Sequence, residues 1–252
     1  MQINISIITV CFNSRKTIHD TIQSVLAQGV AGYEYIIIDG GSTDGTLDII
    51  GSYRQAFGEK GIPYKWISEP DKGIYDAMNK GIKLVTGRLV GILNSDDWYE
   101  PGALQTVYDV YSALEDRDNT VIYGIIRLWR DGLEYAIRRF HHNFVKEEVM
   151  QHPTCFVPRK LYDQYGGFHD GYRLAGDFEL LNRLHRQGVR FYNIDQVLTN
   201  FRMGGASAAA SSLGTRETLR VMKCYGTITP RAYYLRALKA RAGSMLRRMI
   251  RL

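Results

Sequence analysis

Two adjacent carboxylates, Asp96 and Asp97, close the apolar run at Leu89 to Leu93 in the stretch Gly91-Ile92-Leu93-Asn94-Ser95-Asp96-Asp97-Trp98-Tyr99. An apolar run that ends in Asn-Ser-Asp-Asp leaves the core there, because unpaired ionised carboxylates are too costly to bury. Neighbouring Asp side chains repel each other unless a cation or hydrogen-bond donors separate them. Oxygen-only ligands of this kind suit Mg²⁺ or Mn²⁺, shared with a substrate phosphate. The alternative is an acidic turn that caps the next helix. A third acid, Asp177, opens a helical pattern in Ala175-Gly176-Asp177-Phe178-Glu179-Leu180. At a helix N-terminus the dipole keeps a carboxylate ionised, the form a general base needs. An N-cap is the competing reading there too. Asp39 ends a further apolar run and is placed to accept hydrogen bonds from a base or ribose, or from the amides of its own loop.

Strands and helices must bring these acids together. Ile3 to Val10 is almost continuously β-branched and apolar, as in a strand buried on both faces. Ser14 is a candidate N-cap for a helix carrying Ile18, Ile22, Val25 and Leu26, which Gly29 ends. Tyr33 to Ile38 is a second strand; Leu47, Ile50 and Phe57 mark one helix after it. Tyr64 to Ile67 is a third strand, and Ile74, Met78, Ile82 and Val85 mark the helix before the strand of the acid pair. Strands alternating with helices at this length predict a parallel sheet with right-handed crossovers. Strand-end acids then share one edge, the ligand edge of an open α/β sheet.

Past Pro101 the pattern changes. Leu104 to Leu114 reads as a helix, and Thr120 to Trp129 with Glu134 to Phe140 read as a hairpin around Arg130-Asp131-Gly132. Cys155 to Val157 is a short strand. The expected fold class is α/β: a Rossmann-like, mostly parallel sheet with helices on both faces, an elaboration that covers the first half and a basic amphipathic C-terminal helix. The expected organisation is one domain over residues 1–225, with a nucleotide-binding half (1–100) and a second half (101–225), followed by the helix at 226–252. The glycines of Gly40-Gly41-Ser42-Thr43-Asp44-Gly45 fit neither a Walker loop nor a dinucleotide fingerprint. The small-residue stretch Gly204 to Gly214 reads as a lid or as a plain linker.

Composition bounds the rest. The chain has 252 residues, 45% hydrophobic and 23% charged, an ordinary globular balance. Its 3 cysteines are widely spaced and suggest neither a disulfide framework nor a metal-binding Cys cluster, which suits a reducing compartment. The N-terminus enters a strand at once, and no run approaches the roughly 18 apolar residues of a membrane span, so a cytoplasmic place is expected. The net charge is +6. The basic tail has no nucleic-acid motif beside it, so nucleic acid is not an expected partner.

Four ordered stretches carry a family likeness: Ile7-Ile8-Thr9-Val10-Cys11-Phe12-Asn13, Ile37-Ile38-Asp39-Gly40-Gly41-Ser42-Thr43-Asp44-Gly45-Thr46, Ser68-Glu69-Pro70-Asp71-Lys72-Gly73-Ile74-Tyr75-Asp76-Ala77-Met78-Asn79-Lys80-Gly81 and Leu93-Asn94-Ser95-Asp96-Asp97. Together they resemble the family 2 glycosyltransferases of GT-A fold. The resemblance implies inverting transfer of a sugar from a nucleotide diphosphosugar, a UDP-sugar by family default, with Mn²⁺ or Mg²⁺. The acceptor it implies is a saccharide or a polyprenyl-linked saccharide of surface polysaccharide synthesis. It places Val10, Phe12, Asn13, Asp39, Asp71, Lys72, Asn79, Ser95 and Asp96 around the nucleotide sugar, with Phe12 against the base. Asp97 and Asp96 would hold the metal, Asp177 would be the base, and Trp98, His152 and Glu179 would lie toward the acceptor. Two departures stand out: Ser95 replaces the first acid of the Asp-X-Asp motif, and Gly176 replaces the family's Glu before the base.

Two other functions compete. A sugar nucleotidyltransferase would want a Gly-rich, basic loop after the first strand; Cys11-Phe12-Asn13-Ser14 has no glycine. A non-catalytic sugar or lipid-carrier binding protein would not need the intact acid set. In the tail, Thr229 and Pro230 can start a helix in which Tyr234, Leu235, Leu238, Ala242, Met245, Leu246, Met249 and Ile250 form an apolar stripe. Seven Lys/Arg and no acid fall between Arg231 and Leu252. Residues 229–252 therefore read either as a helix docked on the domain or as one lying on an anionic membrane surface at the inner face of the cell membrane.

Overall fold

The structure is a computed structural model, and it describes residues 4–204 and 211–229 together with 231, 232 and 235. Four parallel strands lead: β1 (Ile5–Cys11), β2 (Tyr33–Asp39), β3 (Tyr64–Ser68) and β4 (Leu89–Asn94). Their order is β3-β2-β1-β4, so β1 is flanked by β2 and β4 and buried along its whole length. The chain leaves β1 toward β2 and comes back to its other side at β4. That reversal opens a crevice at the carboxyl ends of β1 and β4, where open α/β sheets bind ligands.

Five strands extend the sheet past β4: β5 (Trp98–Tyr99), β6 (Thr120–Arg130), β7 (Leu133–Arg138), β8 (Phe156–Pro158) and β9 (Arg190–Arg202). β8 pairs antiparallel with β4 and then with β6; β9 lies parallel to β6, and β5 closes the edge against β9. The hairpin of β6 and β7 turns at Asp131 and Gly132, whose φ values of 52° and 80° give the left-handed pair that an Asp-Gly turn favours.

Alternation along the strands feeds two cores. Ile5, Ile7, Tyr35 and Ile37 face α1 (Ile18–Leu26), α2 (Thr46–Ser52), α3 (Arg54–Glu59) and α5 (Ala103–Ala113). Ile8, Val10, Ile36 and Ile38 face α4 (Ile74–Ile82), α6 (Arg159–Tyr165) and α7 (Gly176–Arg186). A last helix, α8 (Ser211–Cys224), packs Leu219, Val221 and Met222 on Ala175 and Phe178 of α7.

Several local expectations are corrected. Ser14 is not the cap of α1, which begins at Ile18; its hydroxyl is instead 2.8 Å from that of Ser95. The single helix expected after β2 is two, broken at Tyr53. Strand β9 went unread because its polar and half-buried residues mask any alternation. Of the Gly204 to Gly214 stretch, residues 205–210 lie outside the described residues, as does most of the expected C-terminal helix. Its start is visible: Ala232 N–H donates to Thr229 Oγ1 at 3.2 Å. No helix among the described residues is long and apolar enough to cross a membrane.

Candidate active site

The loops after β1, β2 and β3 build a slot. Asn13, at φ 49°, donates its N–H to Ser42 Oγ at 2.7 Å and accepts Thr43 N–H at 2.9 Å, tying the first loop to the second. Phe12 is thereby held out at 61% exposure, a ring with no burial of its own. A Cβ on Gly40 would overlap the Asp71 carboxylate and touch the Phe12 ring at 3.4 Å, so the absent side chain keeps these three positions together. Asp71 accepts Gly73 N–H at 2.9 Å, and Lys72 is exposed beside it. A planar base fits such a slot: an aromatic face on one side, acids around the rim.

Asp39 is fully buried at the floor. It accepts the N–H groups of Gly41 and Ser42 and the hydroxyls of Ser42 and Ser68. Burial pushes its pKa up, but the hydrogen bonds outweigh it and hold the carboxyl below its ordinary value. The bonds to its own loop mean that Asp39 shapes the slot before anything binds.

Across the crevice, Asp96 is half-buried and Asp97 completely buried. Both acids lie past the end of β4, as expected, but Asp97 does not face solvent there. Asp97 Oδ1 accepts Arg202 N–H at 3.1 Å and Oδ2 accepts Asn94 Nδ2 at 3.2 Å. Burial raises the pKa of both acids, and the charge of Asp96 raises Asp97 further. Asn94 Oδ1, on the residue that donates to Asp97, is buried with no hydrogen-bond partner among the described residues. Asp96, Asp97 and Asn94 offer oxygen donors, the ligand type that a hard divalent cation takes. Among the described residues, no group of three or more His, Cys, Asp or Glu could hold a metal, so ligands beyond this set would have to come from substrate or water.

Asp177 lies in the first turn of α7. The N-cap position is Ala175, and Asp177 is the second residue of the helix, where its carboxylate takes a first-turn amide. Its Oδ1 takes Phe178 N–H at 2.8 Å and the Tyr75 hydroxyl at 3.2 Å. Burial pushes its pKa up to about 6, against these two donors that favour the ionised form. The loop ahead of it is fastened from α8: Glu217 accepts the N–H groups of Arg173, Leu174 and Ala175 at 2.8–3.1 Å.

Other expected site residues have structural duties. Val10 points into the second core, 5% exposed. Asn79 is a clamp: Nδ2 donates to Phe168 C=O and Oδ1 accepts Phe168 N–H, both at 2.8 Å. Glu179 is buried and spent on Arg183 and on the Tyr225 hydroxyl at 2.6 Å, which pins the end of α8 to α7. His152 is buried edge-on to Phe168, and burial lowers its pKa to about 4, leaving a neutral imidazole in the wall. Trp98 lines an open groove of about 380 Å³ with Asp20, Gln23, Ser24, Ala27 and Arg202, on the α1 side. Three contributors were missed: Arg202, Asn94 and Tyr75. Tyr75 lay inside a quoted motif but reads as an ordinary apolar helix position.

The parallel half-sheet, extended past β4 by a mixed sheet with helices on both faces, has the GT-A fold. Solved structures share it: the Staphylococcus aureus TarS fragment in complex with UDP-GlcNAc matches with a TM-score of 0.68 at 17% identity, over 87% of this chain and 65% of that one. The mannosyltransferase PcManGT from Pyrobaculum calidifontis, in complex with GDP-Man and Mn²⁺, matches with a TM-score of 0.68 at 15% identity, over 96% of this chain and 70% of that one. The chain belongs to glycosyl transferase family 2, whose family model matches residues 6–177. It is a glycosyltransferase of that family. An uncharacterized glycosyltransferase of Mycobacterium tuberculosis is 31% identical over 186 residues, 71% of this chain and 68% of the relative. A glycosyltransferase of PGL/p-HBAD biosynthesis from Mycobacterium bovis is 29% identical over 175 residues, 69% of this chain and 66% of the relative.

Proposed function

We propose that the chain transfers a glycosyl group, with inversion, from a UDP-sugar to a hydroxyl of a saccharide or lipid-linked saccharide. The observation that carries this reading is Asp177: one carboxylate oxygen is held by Tyr75 and Phe178, while Oδ2 has no hydrogen bond among the described residues. With a pKa of about 6, it is a base at neutral pH and still able to bind a proton.

The chain's residues divide the work. Phe12, Asp39 and Asp71 line the base and ribose slot, Asn13 shapes it, and Lys72 stands at its rim for phosphate. Asp96 and Asp97, with Asn94 Oδ1 beside them, would hold Mn²⁺ or Mg²⁺, which supplies positive charge to the diphosphate leaving group when bound. Asp177 Oδ2 takes the acceptor hydroxyl proton as that oxygen bonds to the anomeric carbon. The bond from that carbon to the diphosphate oxygen breaks in the same displacement, and its electron pair leaves with the nucleoside diphosphate. A covalent intermediate would need a second carboxylate beside Asp177, and Glu179 is committed to Arg183 and Tyr225. Support for uridine is the neighbour solved with UDP-GlcNAc; support for the metal is the neighbour solved with GDP-Man and Mn²⁺.

The test is nucleoside diphosphate release from a panel of UDP-, GDP- and dTDP-sugars, with and without Mn²⁺. Release from a UDP-sugar that stops in chelator supports the proposal. Pyrophosphate release from UTP and a sugar phosphate would favour a nucleotidyltransferase, and no release from any donor would favour a binding protein.

A further inference from the structure

This inference rests on Asp177 being the base. We infer that Tyr75 is a positioning residue for it: the Tyr75 hydroxyl fixes one carboxylate oxygen so that the other faces the acceptor, and Gly176 is the glycine that lets the ring reach it. The contact joins two helices far apart in the chain, with Tyr75 in the first turn of α4 and Asp177 in the first turn of α7.

Both ends of the contact are fixed. The Tyr75 ring is 6% exposed and stacks on Phe168 with centroids 5.2 Å apart. Phe168 is itself immobilised by the two hydrogen bonds from Asn79, on the same helix as Tyr75. On the other side, the Glu217 carboxylate gathers the amides just before α7. The hydroxyl and Phe178 N–H then meet the same oxygen, Asp177 Oδ1, at 3.2 and 2.8 Å. Two donors on one oxygen remove the rotational freedom that would let either oxygen face outward.

Gly176 is explained by the same contact. A Cβ there would lie 2.7, 2.8 and 2.9 Å from three ring carbons of Tyr75, closer than real Cβ atoms come. Any side chain at 176 must push the ring aside and take the hydroxyl with it. The space a longer residue would use at this position is filled by the Tyr75 ring. The departure from a Glu-Asp pair is therefore one half of an exchange, with a phenol from α4 standing beside the base.

Tyr75 acts by donating and does not itself abstract the proton. Burial first, and then the charge of Asp177, push its pKa far up, so it stays a phenol. The other titratable groups around the base are the Cys155 thiol, kept protonated by burial, the neutral His152 beyond Phe168, and Glu217, bound to the preceding amides. None can stand in for the lost phenol.

Tyr75→Phe in the full chain tests this, because it keeps the ring and deletes the donor. The readout is the pH profile of nucleoside diphosphate release. The wild-type acid limb should fall near pH 6. In Tyr75→Phe it should move up by about one pH unit, the effect of one hydrogen bond to a charged group. The kcat should fall while the donor KM and Tm stay near wild type. Gly176→Ala should give the same upward shift by displacing the ring; if that variant does not fold, Tyr75→Phe decides alone. An unmoved acid limb in Tyr75→Phe, alongside an inactive Asp177→Asn, overturns the inference and leaves the base assignment standing. Full activity in Asp177→Asn overturns both.

Discussion

Replacing Asp177 with Asn should make the protein less active and more stable at once. Asn keeps an acceptor oxygen for Phe178 N–H and the Tyr75 hydroxyl, so the local hydrogen bonds survive. It cannot take a proton, and transfer should fall by about two to four orders of magnitude. The stability gain comes from the raised pKa of Asp177, about 6 against an ordinary 3.8. Between those values the folded chain holds a proton that the unfolded chain has released, so stability falls as pH rises through this window. The full difference is ~3 kcal/mol at pH 8, and partial exposure of the carboxylate trims it to about 1–3 kcal/mol. For a chain of this size that is a Tm rise of roughly 2–10 °C. The assay is thermal unfolding of both proteins at pH 8 and pH 4, with turnover measured in parallel. Asp177→Asn should melt higher at pH 8 and level with wild type at pH 4. A lower Tm at pH 8 would make the carboxylate a structural cap, and wild-type turnover would remove it from the chemistry.

Three further outcomes follow from the geometry. Asp97→Asn should fold, since a neutral amide relieves a buried carboxyl whose burial already raises its pKa. It should lose most turnover and also the rise in Tm that Mn²⁺ gives the wild-type protein; a retained Mn²⁺ shift would take Asp97 out of the metal site. Asn79→Ala should cost about 2–4 kcal/mol in denaturant unfolding, because it strips both backbone groups of Phe168 of their partner, while donor affinity measured by calorimetry on the folded fraction stays within about twofold. A large loss of donor affinity would return Asn79 to the nucleotide site. Full-length chain should pellet with anionic liposomes at low salt and the chain lacking residues 229–252 should not, with donor hydrolysis intact in both; binding that survives the deletion would move the membrane contact elsewhere.

The parallel half of the sheet was legible because its signals are local. β1 and β2 are continuous apolar runs buried along their full length, and α1 and α4 carry apolar residues at helical steps. Asp96 and Asp97 stand out in the sequence because they close an apolar run, and Asp177 because it opens a helical pattern. What sequence reading missed lies in pairings between distant segments. Ser14 has the chemistry of a cap, but its hydroxyl meets Ser95 on another loop. Asn79 and Glu179 have the chemistry of ligands, yet Phe168, Arg183 and Tyr225 use them up. Tyr75 reads as core by periodicity, and only the approach of α7 shows its hydroxyl on Asp177. Arg202, at the end of a strand with no clear alternation, donates its N–H to the Asp97 carboxylate and its Nε–H to the Asp96 backbone carbonyl.

Transfer in a single displacement needs one base, Asp177. The anomeric configuration of the first-formed sugar tests that most directly, read by proton NMR while the enzyme hydrolyses its UDP-sugar with water as acceptor. A first product of configuration opposite to the donor's, appearing before mutarotation, is what one base on the far face of the sugar requires. A first product of the donor's own configuration would mean two displacements through a covalent or ion-pair intermediate, and would contradict the assignment.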